Sequence, residues 1–208
     1  MQRSPSLDEV SSAAETVRSA LRNRPDAYLV AISGIPGSGK STLCEPLRAS
    51  LLGAVVLPMD GYHLRKSQLD AGSLRRRGAR HTFANAELRA DLMQLRQTRR
   101  GTFPAFDHAE QDPRADAIQV TPATPLVIVE GLYLLMRDWQ LEKLFDLRIF
   151  IDCKLEIAME RVAMRHLACG LEPTAEKAWE RAMSNDRLNA LDILEDGCRE
   201  RADLVIPA

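Results

Sequence analysis

GIPGSGKST, residues 34–42, follows directly on the apolar run Tyr28–Ile32. The fixed positions Gly34, Gly39, Lys40 and Ser41 fit the Walker A pattern, which requires a strand before the loop and a helix after it. Glycines let the backbone turn tightly, so that consecutive N–H groups point inward at phosphate oxygens. The helix that follows adds the positive end of its dipole. Gly34, Pro36, Gly37, Ser38 and Gly39 would form the cradle. Lys40 would reach the terminal phosphates of a nucleotide triphosphate, and the Ser41 hydroxyl would ligate Mg2+ with Thr42 in support.

The rest of the chain repeats the alternation that this loop demands. Leu7, Val10, Ala14, Val17 and Leu21 recur at helical spacing over residues 7–22, and Ser6 and Glu9 are placed for a capping box. Short apolar runs suited to buried parallel strands lie at Ala54–Leu57, Leu126–Val129, Leu147–Ile151 and Leu204–Ile206. Helical patterns start near Lys40 and fill residues 154–168 and 174–195. Alternating strands and helices predict one three-layer α/β/α domain over residues 1–208, with a five-stranded parallel sheet. Residues 61–124 are rich in Arg, Gly and Pro and too long for a loop. They read as an insertion on the acceptor side, with a helix over 85–98 and a hairpin made from 103–106 and 117–121.

Ligands of such sheets bind at the carboxyl ends of the strands, where Lys40, Asp60 and Glu130 all fall. Glu130 closes an apolar strand and would hold Mg2+ directly or through its water shell. Asp60, in MDGYHL, would face the terminal phosphate from the acceptor side and take the proton of an attacking hydroxyl; a turn-former before Gly61 is the other reading. The insertion carries four arginines within residues 75–80, a pattern that serves a solvated face, an RNA patch or a clamp on the acceptor. His63, Arg76, His81, Asp107 and His108 are the acceptor-binding candidates of these segments. Arg161 and Arg165 share a helix face ahead of a lid tip at Cys169–Pro173. A lid over about 161–175 would bring charge to the transferring group and exclude water. Asn185 and Asn189 form a polar island on an otherwise amphipathic helix, facing the nucleotide or bracing the lid.

Composition narrows the alternatives. A formal net charge of −1 gives no basic groove for nucleic acid. The scattered cysteines show no metal-binding spacing, and no apolar run reaches the ~18 residues of a membrane span. The N-terminus lacks the apolar core of a signal peptide. These features predict a cytoplasmic protein. The DxxG and NKxD segments of GTPase switches are missing, as is LSGGQ, which disfavours a nucleotide-dependent regulator of a transporter.

GIPGSGKST, MDGYHL, RRGARHTF, FPAFDHAEQDP, VIVEG and RAMSNDRLNA, in this order, resemble the uridine kinase, pantothenate kinase and phosphoribulokinase superfamily over nearly the whole chain after about residue 10. The set looks most similar to the branch that includes bacterial proteins described as fructose transport system kinases. The resemblance implies ATP and Mg2+ as cofactors, a small-molecule hydroxyl acceptor such as a sugar, a nucleoside or pantothenate, Asp60 as the base and Arg165 as a phosphate ligand in the lid. It admits a homodimer, since relatives form dimers or tetramers. RRRGARHTF departs from the nucleoside-binding stretch of uridine kinases, and the long extensions of pantothenate kinases are missing.

Overall fold

A computed structural model describes residues 7–107 and 109–208, with side chains from Val10 onward. Ser6 and the acceptor candidate His108 lie outside these described residues, as does the Glu9 side chain of the expected capping box. In chain order the elements are α1 (Leu7–Arg22), β1 (Leu29–Gly34), α2 (Lys40–Ser50), β2 (Val55–Pro58), α3 (Ala71–Arg75), α4 (Asn85–Thr98), β3 (Gly101–Asp107), β4 (Asp112–Val120), β5 (Val127–Gly131), β6 (Leu147–Asp152), α5 (Leu155–Ala168), α6 (Ala175–Arg181), α7 (Arg187–Glu195) and β7 (Leu204–Pro207).

β1 is buried along its whole length because both of its faces are covered. Leu29 and Ala31 enter one core with Leu88, Leu92 and Leu95 of α4 and Ala158, Met159 and Val162 of α5. Val30 and Ile32 enter the other with Ala14 and Val17 of α1 and Leu43 and Leu47 of α2. The main sheet has the order β2-β5-β1-β6-β7, all parallel. This is the three-layer fold with five parallel strands that the alternation predicts.

The departures are local. β1 runs two residues past the apolar run, because Ser33 pairs with Gly131 and Gly34 with Ile151. The hairpin β3–β4 is longer than its apolar core and carries an irregularity between Phe103 and Ala105, at Pro104, which has no N–H to donate. The insertion also contains α3, which hydrophobic spacing does not announce. The helix expected over residues 174–195 is interrupted by a π-turn at Ala182–Asp186.

Asp146, just before β6, fastens the entrance of the central strand. Its Oδ2 accepts hydrogen bonds from the N–H groups of Tyr28 and Leu29, each 2.9 Å, and its Oδ1 accepts from Arg96 of α4 at 2.8 Å. Burial works against the ionised carboxyl, but the N–H groups of Leu29 and Tyr28 and the Arg96 guanidinium outweigh it and hold the carboxyl below its ordinary value. A depressed folded value means stability that is complete above the unfolded value of about 3.9 and is lost as the pH falls through the folded value. We expect Asp146→Asn to lower the denaturation midpoint at pH 7 and to flatten its fall below about pH 4, as read by urea titration across pH.

Candidate active site

The loop between β1 and α2 is shaped by what it packs against. Gly37 has φ +78°, and a Cβ there would lie 2.2 Å from the Ala158 carbonyl of α5, so only glycine lets the loop lie on that helix. α2 begins after Gly39 with no side-chain cap, which leaves its first N–H groups without intrahelical partners, an arrangement suited to binding an anion. Lys40 is buried. Its Nζ donates to the carbonyls of Gly34 (3.0 Å) and Ile35 (2.9 Å). Burial pulls the ammonium down to about 8, against the opposing pull of Glu130 and Asp60.

Two carboxylates converge on this ammonium. Glu130 stands near the end of β5, in register with Ile32 of β1 and Pro58 of β2. The Ser41 hydroxyl is 3.3 Å from each of its carboxylate oxygens. Burial, then the nearby charge of Asp60, push the Glu130 carboxyl upward, while Lys40, Ser41 and Arg165 pull it down. Gly131 matters here. A Cβ on it would meet Met59 Cβ at 2.4 Å, so glycine allows the turn Met59–Tyr62, which carries Asp60, to lie against β5. Lys40, Ser41, Asp60, Glu130 and Arg165 therefore act on one electrostatic site at the carboxyl ends of β1, β2 and β5. A hydroxyl and a carboxylate are hard oxygen donors. The described residues hold no group of three or more His, Cys, Asp or Glu side chains able to cage a metal. That donor set fits Mg2+, which binds through one or two protein oxygens and completes its shell with phosphates and water.

Beside the loop, Val10, Ala13, Leu43, Ile206 and Pro207 line an apolar cavity of about 350 Å3 that Gly39 adjoins.

The acceptor candidates divide. Asp60 is half exposed, and its Oδ1 lies 3.9 Å from His63 Nε2. The His63 ring is stacked on Phe83 at 4.0 Å and tilted against Phe106 at 5.2 Å. MDGYHL, RRGARHTF and FPAFD thus meet around one imidazole. His81 is exposed on a short turn. Asp107 stands at the tip of the hairpin, where its Oδ1 accepts from the N–H groups of Ala109 and Glu110.

Arg76, one of the acceptor candidates, is engaged within the fold. Its guanidinium is spent inside the fold, donating to the Asn185 side chain, the Asn185 carbonyl at 3.0 Å and Asn189 Oδ1 at 3.0 Å. The π-turn turns the Asn185 carbonyl toward it, and Asn185 returns a bond to the Arg77 carbonyl. The polar island of Asn185 and Asn189 is the buried seat of Arg76 and braces the insertion against α7. Arg77 binds Asp112 at 2.7 Å and the Leu64 carbonyl at 3.0 Å; Arg80 binds Asp138 at 3.1 Å. Neither Asp112 nor Tyr133, whose hydroxyl donates to the Gly78 carbonyl, carries a local signal. On α5, Arg161 donates to Cys153 Sγ at 3.5 Å, whereas Arg165 is exposed and lies in the field of Lys40 and Glu130. Behind it, His166 and Asp186 are a buried pair 3.7 Å apart. Among the described residues no helix is long and apolar enough to cross a membrane.

The sequence profile of the phosphoribulokinase / uridine kinase family matches residues 29–169. The chain is 39% identical over 180 residues to the Schizosaccharomyces pombe protein named "Putative uridine kinase C227.14", covering 77% of this chain and 75% of that one. It is 30% identical over 231 residues to the "ATP-dependent kinase YFH7" of Lachancea thermotolerans, covering 88% and 66%. In structure it is similar to a "putative fructose transport system kinase" from Silicibacter sp. TM1040, with a TM-score of 0.80 and 35% identity over 94% of this chain and 98% of the other.

The buried ammonium of Lys40 generates one expectation. Its folded value of about 8 lies below the ordinary 10.5, so the folded state disfavours the proton. The resulting penalty is full at pH 7 and shrinks as the pH rises from about 8 toward 10.5. Lys40→Met is expected to abolish the gain in stability between about pH 8 and 10.5, measured by urea denaturation across pH. Arg76→Ala, which strands buried Asn185 and Asn189, is expected to cost about 2–3 kcal/mol in the same assay.

Proposed function

The chain belongs to the phosphoribulokinase / uridine kinase family, a family of ATP-dependent kinases, and we propose that it transfers the γ-phosphoryl group of ATP to a hydroxyl of a small metabolite such as a sugar. The observation that carries this reading is the convergence of Asp60, Glu130 and Lys40 on one site. A switch or a motor needs the phosphate loop and the cation ligand. A half-exposed carboxylate on the far side of the terminal phosphate serves an incoming hydroxyl.

In this reading the loop N–H groups and the start of α2 bind the triphosphate, and Lys40 leaves its carbonyl partners for the terminal phosphates. Ser41 and Glu130 would hold Mg2+, which would neutralise charge on the phosphates. Asp60 accepts the proton of the acceptor hydroxyl while its oxygen attacks the γ-phosphorus and the bond to the bridging oxygen breaks, releasing ADP. Arg165 stabilises the charge on the transferring group from the lid. The apolar cavity beside Gly39 takes the nucleobase. The Silicibacter protein's description points to a sugar and the S. pombe protein's to a nucleoside; both classes carry hydroxyls that such a site can phosphorylate.

The test is acceptor-stimulated release of ADP from MgATP across sugars, polyols, nucleosides and pantothenate. Asp60→Asn is expected to lower kcat about 10²–10⁴-fold while ATP affinity stays within about threefold, a change of well under 1 kcal/mol. Full activity in that variant removes Asp60 from the role of base. Nucleotide-dependent capture of a protein partner with no acceptor-stimulated turnover would favour a regulatory protein instead.

A further inference from the structure

Asp186 is a buried carboxylate whose pairing is incomplete. It ends the π-turn Ala182–Asp186, and its side chain is 13% exposed. Oδ2 is sealed from solvent with no hydrogen-bond partner. Orphaned polar atoms of this kind are rare in native folds and costly. His166 of α5 brings Nε2 to 3.7 Å from Oδ2, beyond hydrogen-bond reach. Burial, with the charges of Arg165 and Arg181, pulls that imidazole down to about 4, so at neutral pH it offers no positive charge. Burial also pushes the Asp186 carboxyl upward, against the pull of Arg165 of α5, Arg181 of α6 and Arg76 of the insertion. Two of these three guanidinium groups are held elsewhere. Arg76 is seated by Asn185 and Asn189, and Arg181 donates to Glu172 at 3.4 Å. The exposed guanidinium of Arg165 has neither a hydrogen bond nor an ion pair among the described residues. It also lies in the field of Lys40 and Glu130. One free side chain therefore stands between the phosphate loop and an incompletely paired carboxylate. A guanidinium is a planar fork of donors that can bind one oxygen acceptor on each of two edges.

Resting on the phosphoryl-transfer reading above, we infer that Asp186 is a positioning residue for Arg165. During transfer one edge of the Arg165 guanidinium binds the Asp186 carboxylate, and the other edge binds an oxygen of the transferring phosphoryl group. Asp186 touches no reacting atom; it fixes the plane of a side chain that is otherwise free to turn. The π-turn serves both purposes with successive residues: Asn185 receives Arg76, and Asp186 faces α5.

The test uses the full chain with MgADP and aluminium fluoride, a mimic of the transferring phosphoryl group that requires no knowledge of the acceptor. By calorimetric titration, the unsubstituted protein is expected to bind MgADP more tightly with aluminium fluoride than without it. Asp186→Asn keeps the shape of the side chain and removes its charge. It is expected to weaken the aluminium fluoride complex about 10–100-fold, the worth of a charge-assisted hydrogen bond, while affinity for MgADP alone is unchanged. Its urea midpoint at pH 7 is expected to be no lower, because a buried charge with an unpaired oxygen has been removed. A merely structural role gives the reverse pattern, a lower midpoint with the full gain from aluminium fluoride, and that result overturns the inference. Arg165→Lys, at an exposed position, keeps the charge and loses the fork. It is expected to weaken the aluminium fluoride complex by a similar factor, and Asp186→Asn added to it is expected to cost nothing further. A full gain from aluminium fluoride in Arg165→Lys, or an equal loss from Asp186→Asn in both backgrounds, also overturns the inference and leaves the phosphoryl-transfer reading standing. No gain from aluminium fluoride in the unsubstituted protein, with MgADP bound, overturns both.

Discussion

A single ammonium withdrawn from water organises the centre of this molecule. Lys40 is buried against the carbonyls of Gly34 and Ile35, and a charge so placed is tolerable only with dipoles and opposite charges close by. The strand order supplies them. β5 lies beside β1 and β2 beside β5, so Glu130 and Asp60 arrive on one flank of the loop. β6 lies on the other flank and leads into α5, whose Ala158 carbonyl floors the loop at Gly37 and whose Arg165 adds a second positive charge.

That arrangement stores a tension that a nucleotide can relieve. Without ligand, the Lys40 proton is held less tightly than in water and the Glu130 carboxyl is pushed above its usual range. Phosphate oxygens beside the first group and a cation beside the second would stabilise the charged form of each. Stability given up at this site would thus return as affinity for a polyanion, the exchange expected where function opposes folding.

The insertion is held instead by polar groups matched within the protein. Arg76 is seated by the π-turn, Arg77 by Asp112, and the Gly78 carbonyl by Tyr133. π-turns recur at functional sites, and here the irregular turn presents backbone oxygen to a guanidinium. It thereby joins the insertion to α6 and α7. Order in this region comes from these polar ties together with the aromatic cluster of His63, Phe83, Phe106, Tyr133 and Trp139.

The layers, the strands and the phosphate loop were legible in the order of the residues alone, because those follow from local order: an apolar run, a glycine-rich turn, a helical period. α4 was legible to the residue, since Leu88, Leu92 and Leu95 repeat on one face and all are buried. The acids Asp60 and Glu130 were legible as strand-end residues. Only the tertiary structure decided which strands are neighbours, that Arg76 serves Asn185 and Asn189 across a separation of more than a hundred residues, and that three distant motifs close around His63. The physical reason is that hydrophobic periodicity is written into adjacent residues, whereas the partner of a buried charge is chosen by the packing that brings distant segments together.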